Sequence, residues 1–169
     1  MKKIAILGPE SSGKTTLAKA LAKYMGSKML PEYARKYFIF HDYTQCKLDD
    51  LIKIAQQQYN LCHQKEEKDF IICDTEMLTI EIWAEDKFQH VPKEVEILRK
   101  KQEFDLYILT KPDIPWEYDV LRTDANRRGY IFELYLKNLK RYSYPYIVVS
   151  GDMDSRIKES MAAISSFDQ

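Results

Sequence analysis

The sequence predicts an α/β fold with three layers, a parallel five-stranded sheet covered by helices on both faces. Five short apolar runs alternate with longer segments of helical periodicity along 169 residues, the rhythm of strand–helix–strand units. The first run leads directly into the glycine-bounded stretch Gly8-Pro9-Glu10-Ser11-Ser12-Gly13-Lys14-Thr15, which opens a helix. No repeat or low-complexity tract interrupts the alternation, and the length suits one domain, 1–169, with a sizeable core.

In chain order, the apolar run Ile4 to Leu7 predicts a strand over 3–7, and Leu17, Leu21 and Tyr24 on one face predict a helix over 14–25. A short strand over 28–30 follows, then a long helix over about 49–68. Phe70-Ile71-Ile72-Cys73 reads as a buried strand, 77–87 and 92–102 as helices, and 105–109 as a strand. Pro112 and Pro115 break helical continuation, so 111–128 reads as a polar loop. Phe132, Tyr135, Leu136 and Leu139 share the face of a further helix, 146–149 forms the last strand, and a final helix follows Gly151-Asp152.

Gly8 to Thr15 satisfies G-x-x-x-x-G-K-[ST], the phosphate-binding P-loop, and places the chain in the P-loop NTPase architecture. The glycines let the backbone curl until several N–H groups face one concavity at a helix N-terminus. Lys14 can reach the outer phosphates, and the Thr15 hydroxyl can sit on Mg2+. The expected ATP-binding set is Gly8, Glu10, Ser11, Ser12, Gly13, Lys14, Thr15 and Thr16. Gly151, after the last strand, is expected to offer backbone groups to adenine.

Composition narrows the partners. Lys+Arg and Asp+Glu balance at 26 each, so no whole-molecule field draws the chain to nucleic acid or anionic lipid. The expected partner is a small-molecule substrate, and oligomeric state is left open. No apolar run approaches the ~20 residues that span a bilayer, and strand one begins without a signal-peptide pattern, which makes a cytoplasmic location the expectation. Cys46, Cys62 and Cys73 lack C-x-x-C spacing and read as free thiols; adjacent Cys62 and His63 point to different helix faces and do not make a metal site.

Asp74 ends an apolar strand, as a Walker B carboxylate that places magnesium with Thr15 would. Glu32 and Arg35 follow the second strand, where parallel sheets gather their ligands. Either Glu32 or Asp74 can orient or deprotonate an acceptor hydroxyl, and Arg35 can meet a phosphate or pair with Glu32. Tyr33 lies between them as a further substrate contact. Arg122, Arg127 and Arg128 cluster beside the proline loop as a candidate helical lid over about 113–129, or else as a solvated basic face. Trp116 is the expected aromatic platform, with Trp83 a second candidate.

Gly-Pro-Glu-Ser-Ser-Gly-Lys-Thr-Thr-Leu (8–17), Pro-Glu-Tyr-Ala-Arg (31–35), Asp74-Thr75-Glu76 and Lys-Pro-Asp-Ile-Pro-Trp (111–116) occur in this order, and together they resemble the nicotinamide riboside kinase domain of bacterial bifunctional NAD-salvage proteins. The resemblance runs from the first strand through Arg128 and implies transfer of the ATP γ-phosphate to the 5'-hydroxyl of nicotinamide riboside. Asp119-Val120-Leu121-Arg122 lacks the glycine of the family's Asp-Gly-x-Arg segment. The family's adenylyltransferase part has no counterpart before Lys3, which implies a stand-alone kinase domain.

Other readings stay open. Another nucleoside or nucleoside monophosphate kinase would use the same scaffold, as would an ATP-binding regulatory module. Thr110-Lys111-Pro112-Asp113 matches the [NT]-K-x-D guanine motif of GTPases, although the companion D-x-x-G would need glycine where Met77 stands.

Overall fold

A computed structural model describes residues 1–64, 69–118 and 125–166. Five strands, β1 (Lys2–Leu7), β2 (Lys28–Leu30), β3 (Phe70–Asp74), β4 (Leu106–Thr110) and β5 (Tyr146–Val149), form one all-parallel sheet in the order β2-β3-β1-β4-β5. Seven helices among the described residues connect them: α1 (Lys14–Tyr24), α2 (Tyr33–Tyr37), α3 (Leu48–Cys62), α4 (Met77–Phe88), α5 (Lys93–Lys101), α6 (Arg128–Arg141) and α7 (Met153–Ser166).

Strand alternation sorts the core into layers. Ile4 and Ile6 of β1 meet Leu17, Ala18 and Leu21 of α1 and Ile164 of α7 on one face, while Ala5 and Leu7 meet Leu78 and Ile82 of α4 and Phe132, Tyr135 and Leu139 of α6 on the other. Each fully buried leucine contributes about 1.5–3 kcal/mol. A third cluster joins α2 to α5 through Ala34, Tyr37, Ile54, Ala55, Met77, Ile80 and Val95. Among the described residues no helix is long and apolar enough to cross a membrane.

Three local differences from the sequence-based expectation have physical causes. Tyr24 is 72 % exposed, because Ala18 and Ala22 complete the buried face of α1. α3 stops at Cys62, where the His63 ring takes up the Tyr59 carbonyl at 2.7 Å and stacks on the Tyr59 ring; 65–68 lie outside the described residues. The single-turn helix α2 follows Pro31 and Glu32, too short for periodicity to reveal. Cys46, Cys62 and Cys73 are free and buried.

This topology positions the site. β1 lies between β3 and β4, so the loop after β1 emerges at the switch point of the sheet, beside the carboxyl ends of both neighbours.

Candidate functional site

The P-loop is built by close approach. Gly8 has φ 148°, and a Cβ there would fall 2.7 Å from Ser12 Oγ and 2.8 Å from the Thr110 carbonyl, so any side chain would force the loop off β4. The Ser12 and Thr110 hydroxyls lie 2.6 Å apart, between the carbonyls of Pro9 and Leu7. Gly13, at φ 84°, turns the chain into α1. Lys14 donates its ammonium to the Pro9 carbonyl at 2.7 Å. Burial lowers its pKa, and the carboxylates of Glu32 and Asp74 oppose that shift.

Asp74 ends β3 beside the loop. Thr15 Oγ1 donates to Asp74 Oδ2 at 2.6 Å, and the second oxygen, Oδ1, is buried with no hydrogen-bond partner. A hydroxyl and a carboxylate are hard oxygen ligands that suit magnesium, and the orphaned Oδ1 is a further acceptor for a metal-bound water. Among the described residues no cluster of three or more His, Cys, Asp or Glu offers an alternative metal site.

A cavity of about 430 Å³ runs from the P-loop across the carboxyl ends of the strands. Gly8, Glu10, Ser11, Ser12, Gly13, Lys14, Thr15 and Thr16 line it, and so do Glu32 and Arg35. Glu32 immediately precedes α2 without capping it by its side chain, and its Oε2 lies 3.3 Å from Arg35 Nε. Burial in the cavity raises the Glu32 pKa; Lys14 opposes the shift and Asp74 adds to it. Tyr33 packs into the third core cluster instead of lining the cavity, because its position one residue on turns it toward α3.

Part of the cavity lining is aromatic. Thr79, Ile82, Trp83, Asp86 and Lys87 form one stripe of α4 along the wall, spaced three and four residues apart. Trp83 lies nearly parallel to Tyr43, with centroids 5.9 Å apart, and Phe38 completes the patch at 6.0 Å from Trp83. Trp116 is not in this wall; its ring sits edge-on to Tyr118. The periodicity of α4 from Asp74 onward was the available signal for Trp83.

The described parts of the lid arginine region lie over the loop. Arg128 Nη1 donates to the carbonyls of Ser11 (3.2 Å) and Ile114 (3.0 Å), and the Glu117 N–H donates to Ser11 Oγ at 2.8 Å. Arg127 forms a two-pronged pair with Asp86 of α4, at 3.0 and 2.5 Å, and both line the cavity. Arg122 lies outside the described residues.

Gly151 is not in the cavity wall; its N–H donates to Asp113 Oδ2 at 2.8 Å. The other Asp113 oxygen accepts from Arg156 of α7, which is fully buried and also donates to the carbonyls of Ser12 (2.5 Å), Lys111 (3.0 Å) and Gly151 (2.9 Å). Asp113 is thus an internal acceptor, and the guanine-motif reading of 110–113 loses its key carboxylate. Arg156 carried no signal in sequence, being one arginine on an amphipathic helix. Neither did the buried Gln58, whose backbone partners at Tyr33 and Thr75 come from distant segments.

Residues 3–156 match the AAA domain family. The chain is 30% identical over 165 residues to the trifunctional NAD biosynthesis/regulator protein NadR of Salmonella typhimurium and 32% identical over 164 residues to that of Escherichia coli K12. Each alignment covers 92% of this chain and 40% of the relative, so the chain spans well under half the length of the curated relatives it matches. In structure it resembles a NadR protein in complex with NAD and AMP-PNP (TM-score 0.78, 20% identity, 98% of this chain and 49% of that one). A NadR protein in complex with NR gives TM-score 0.77 at 20% identity, covering 98% of this chain and 51% of that one. Deoxyadenosine kinase from M. mycoides, with products bound, gives TM-score 0.71 at 18% identity, covering 97% and 99%. The P-loop, its place at the sheet switch point and the family match over nearly the whole chain make this protein a member of the AAA domain family.

Proposed function

We propose that this chain is an ATP-dependent nucleoside kinase that phosphorylates the 5'-hydroxyl of nicotinamide riboside, giving nicotinamide mononucleotide. The observation that carries the reading is one cavity lined together by the phosphate-binding loop, by Glu32 and by the aromatic residues Phe38, Tyr43 and Trp83. That set of groups fits a phosphoryl donor, a hydroxyl and a planar ring held in one site. The similarity to NadR proteins, one of them in complex with NR, supports nicotinamide riboside as acceptor, and the likeness to deoxyadenosine kinase supports this fold as a nucleoside kinase scaffold.

The P-loop N–H groups and Lys14 would hold the β- and γ-phosphates, and Thr15 with Asp74 would hold magnesium, whose charge when bound neutralises the phosphate oxygens. Of the two carboxylates at the ends of β2 and β3, Asp74 is joined to Thr15 and Glu32 lines the cavity, which favours Glu32 as the group that faces the acceptor. Glu32 accepts the 5'-hydroxyl proton as that oxygen bonds to the γ-phosphorus and the bond to the bridging oxygen breaks in line, leaving ADP. Phe38, Tyr43 and Trp83 would bind the pyridinium ring through their faces. Arg127 and Arg128 line the cavity, Arg128 against the P-loop carbonyl of Ser11, and with Arg122 they are the candidates to steady the transferring group.

The test is coupled ADP release with ATP and magnesium, comparing nicotinamide riboside with a panel of nucleosides, nucleoside monophosphates and no acceptor. Stimulation by nicotinamide riboside above the panel supports the reading. Stimulation by a purine deoxynucleoside instead transfers the assignment to another nucleoside kinase, and no stimulation by any acceptor refutes kinase activity on this panel.

A further inference from the structure

Gln58, in the third turn of α3, is 1 % exposed, and its amide is fully engaged. Oε1 accepts from the Tyr33 N–H at 2.7 Å, and Nε2 donates to the Thr75 carbonyl at 3.2 Å, with Cys62 Sγ at 3.6 Å. The amide has one possible orientation, because a backbone N–H only donates and a backbone carbonyl only accepts. Both partners need it. Tyr33 is the first residue of α2, so its N–H has no acceptor within the helix. Thr75 is a β-branched residue held at φ 82°, a strained left-handed conformation, by this bond and by its own N–H to the Ile6 carbonyl at 3.2 Å.

The two segments joined are the ones that carry the carboxylates. Glu32 immediately precedes Tyr33, and Asp74 immediately precedes Thr75. α2 is five residues long and too short to hold its own place, so its register against the sheet comes from tertiary contacts. We propose that Gln58 is the positioning residue that sets Glu32 of the acceptor side against Asp74 of the metal side by clamping α2 to the end of β3. Glutamine suits the task because it carries a donor and an acceptor at this reach; glutamate lacks the donor, methionine lacks both, and asparagine is one methylene short. The inference rests on the reading of Glu32 as the group that faces the acceptor hydroxyl.

Three measurements test it. In the wild-type protein the Tyr33 amide is expected to exchange with solvent as slowly as core helix amides; exchange at the rate of exposed loop amides overturns the clamp. Carbon-13 titration of Glu32 is expected to show a raised pKa in the wild type that falls toward 4.5 in Gln58→Met, as α2 loosens and the carboxyl meets water. An unchanged titration overturns the proposal. With magnesium-ATP and nicotinamide riboside, Gln58→Met is expected to lower kcat about tenfold to a hundredfold while the KM for ATP changes less than about twofold. In a Glu32→Gln background the same substitution is expected to add little, whereas fully additive losses overturn action through Glu32. If Gln58→Met does not fold, Gln58→Asn takes its place, and the wild-type exchange measurement stands by itself. Normal turnover by Glu32→Gln would refute the acceptor role of Glu32, and the exchange and titration results would still decide the clamp.

Discussion

Thr15 Oγ1 donates to Asp74 Oδ2 at 2.6 Å across 59 residues of sequence, so a hydrogen bond joins the P-loop to the end of β3. That bond holds two hard oxygen donors side by side at the mouth of an anion-binding loop, and it leaves Asp74 Oδ1 unpartnered. The proposed chemistry depends on this pairing. Asp74→Asn is expected to lower kcat by about 10²-fold or more and to raise the magnesium concentration needed for half-maximal rate, with little change in fold. Lys14→Ala is expected to lose at least as much. Steady-state kinetics against magnesium, with circular dichroism as the fold control, check both.

Glu32 has a raised pKa because the cavity withdraws its carboxyl from water. A base must be unprotonated to accept the hydroxyl proton, so kcat is expected to fall as pH drops through this raised value, above the ordinary 4.5 of glutamate. Glu32→Gln is expected to lose about 10² to 10⁴ in kcat, to keep its ATP affinity and to lack this acid limb. A pH–rate profile of both proteins reads the result.

Trp83 lines the cavity and Trp116 does not. Trp83→Leu is therefore expected to raise the acceptor KM about tenfold with the KM for ATP unchanged, and Trp116→Leu to leave the acceptor KM within about twofold. Equal effects from the two substitutions would place the ring elsewhere.

Glu76 is fully buried at the N-cap of α4, where Oε2 accepts from Leu78 N–H at 2.8 Å and from Gln102, yet burial raises its pKa to about 7. Between the unfolded value near 4.5 and about 7, the folded chain keeps a proton that the unfolded chain releases. Stability from this group is therefore fully present below pH 4.5 and lost as pH rises through about 7, by on the order of 2 to 3 kcal/mol. Urea unfolding from pH 5 to 8 is expected to show that fall in the wild type and a flatter profile in Glu76→Gln.

The inner strands β1, β3 and β4 were readable because parallel strands buried on both faces leave apolar runs, and the P-loop because its chemistry is local. Asp74 was readable from its place at the end of such a run. α2 was not, because one turn shows no periodicity and is held by Gln58 from another helix. The aromatic wall needed the rotation of α4, which decides that Trp83 faces the cavity. Asp113 illustrates the converse: four residues matched a guanine motif, and only the fold reveals that Arg156, 43 residues later, already holds the carboxylate.

The central claim is transfer of a phosphoryl group to the ribose hydroxyl, and phosphorus-31 NMR with mass spectrometry of a reaction containing ATP, magnesium and nicotinamide riboside tests it most directly. The account predicts equal amounts of ADP and a 5'-phosphorylated riboside, with neither formed by Lys14→Ala. ADP accompanied only by inorganic phosphate, or an unphosphorylated riboside at full ATP consumption, would contradict it.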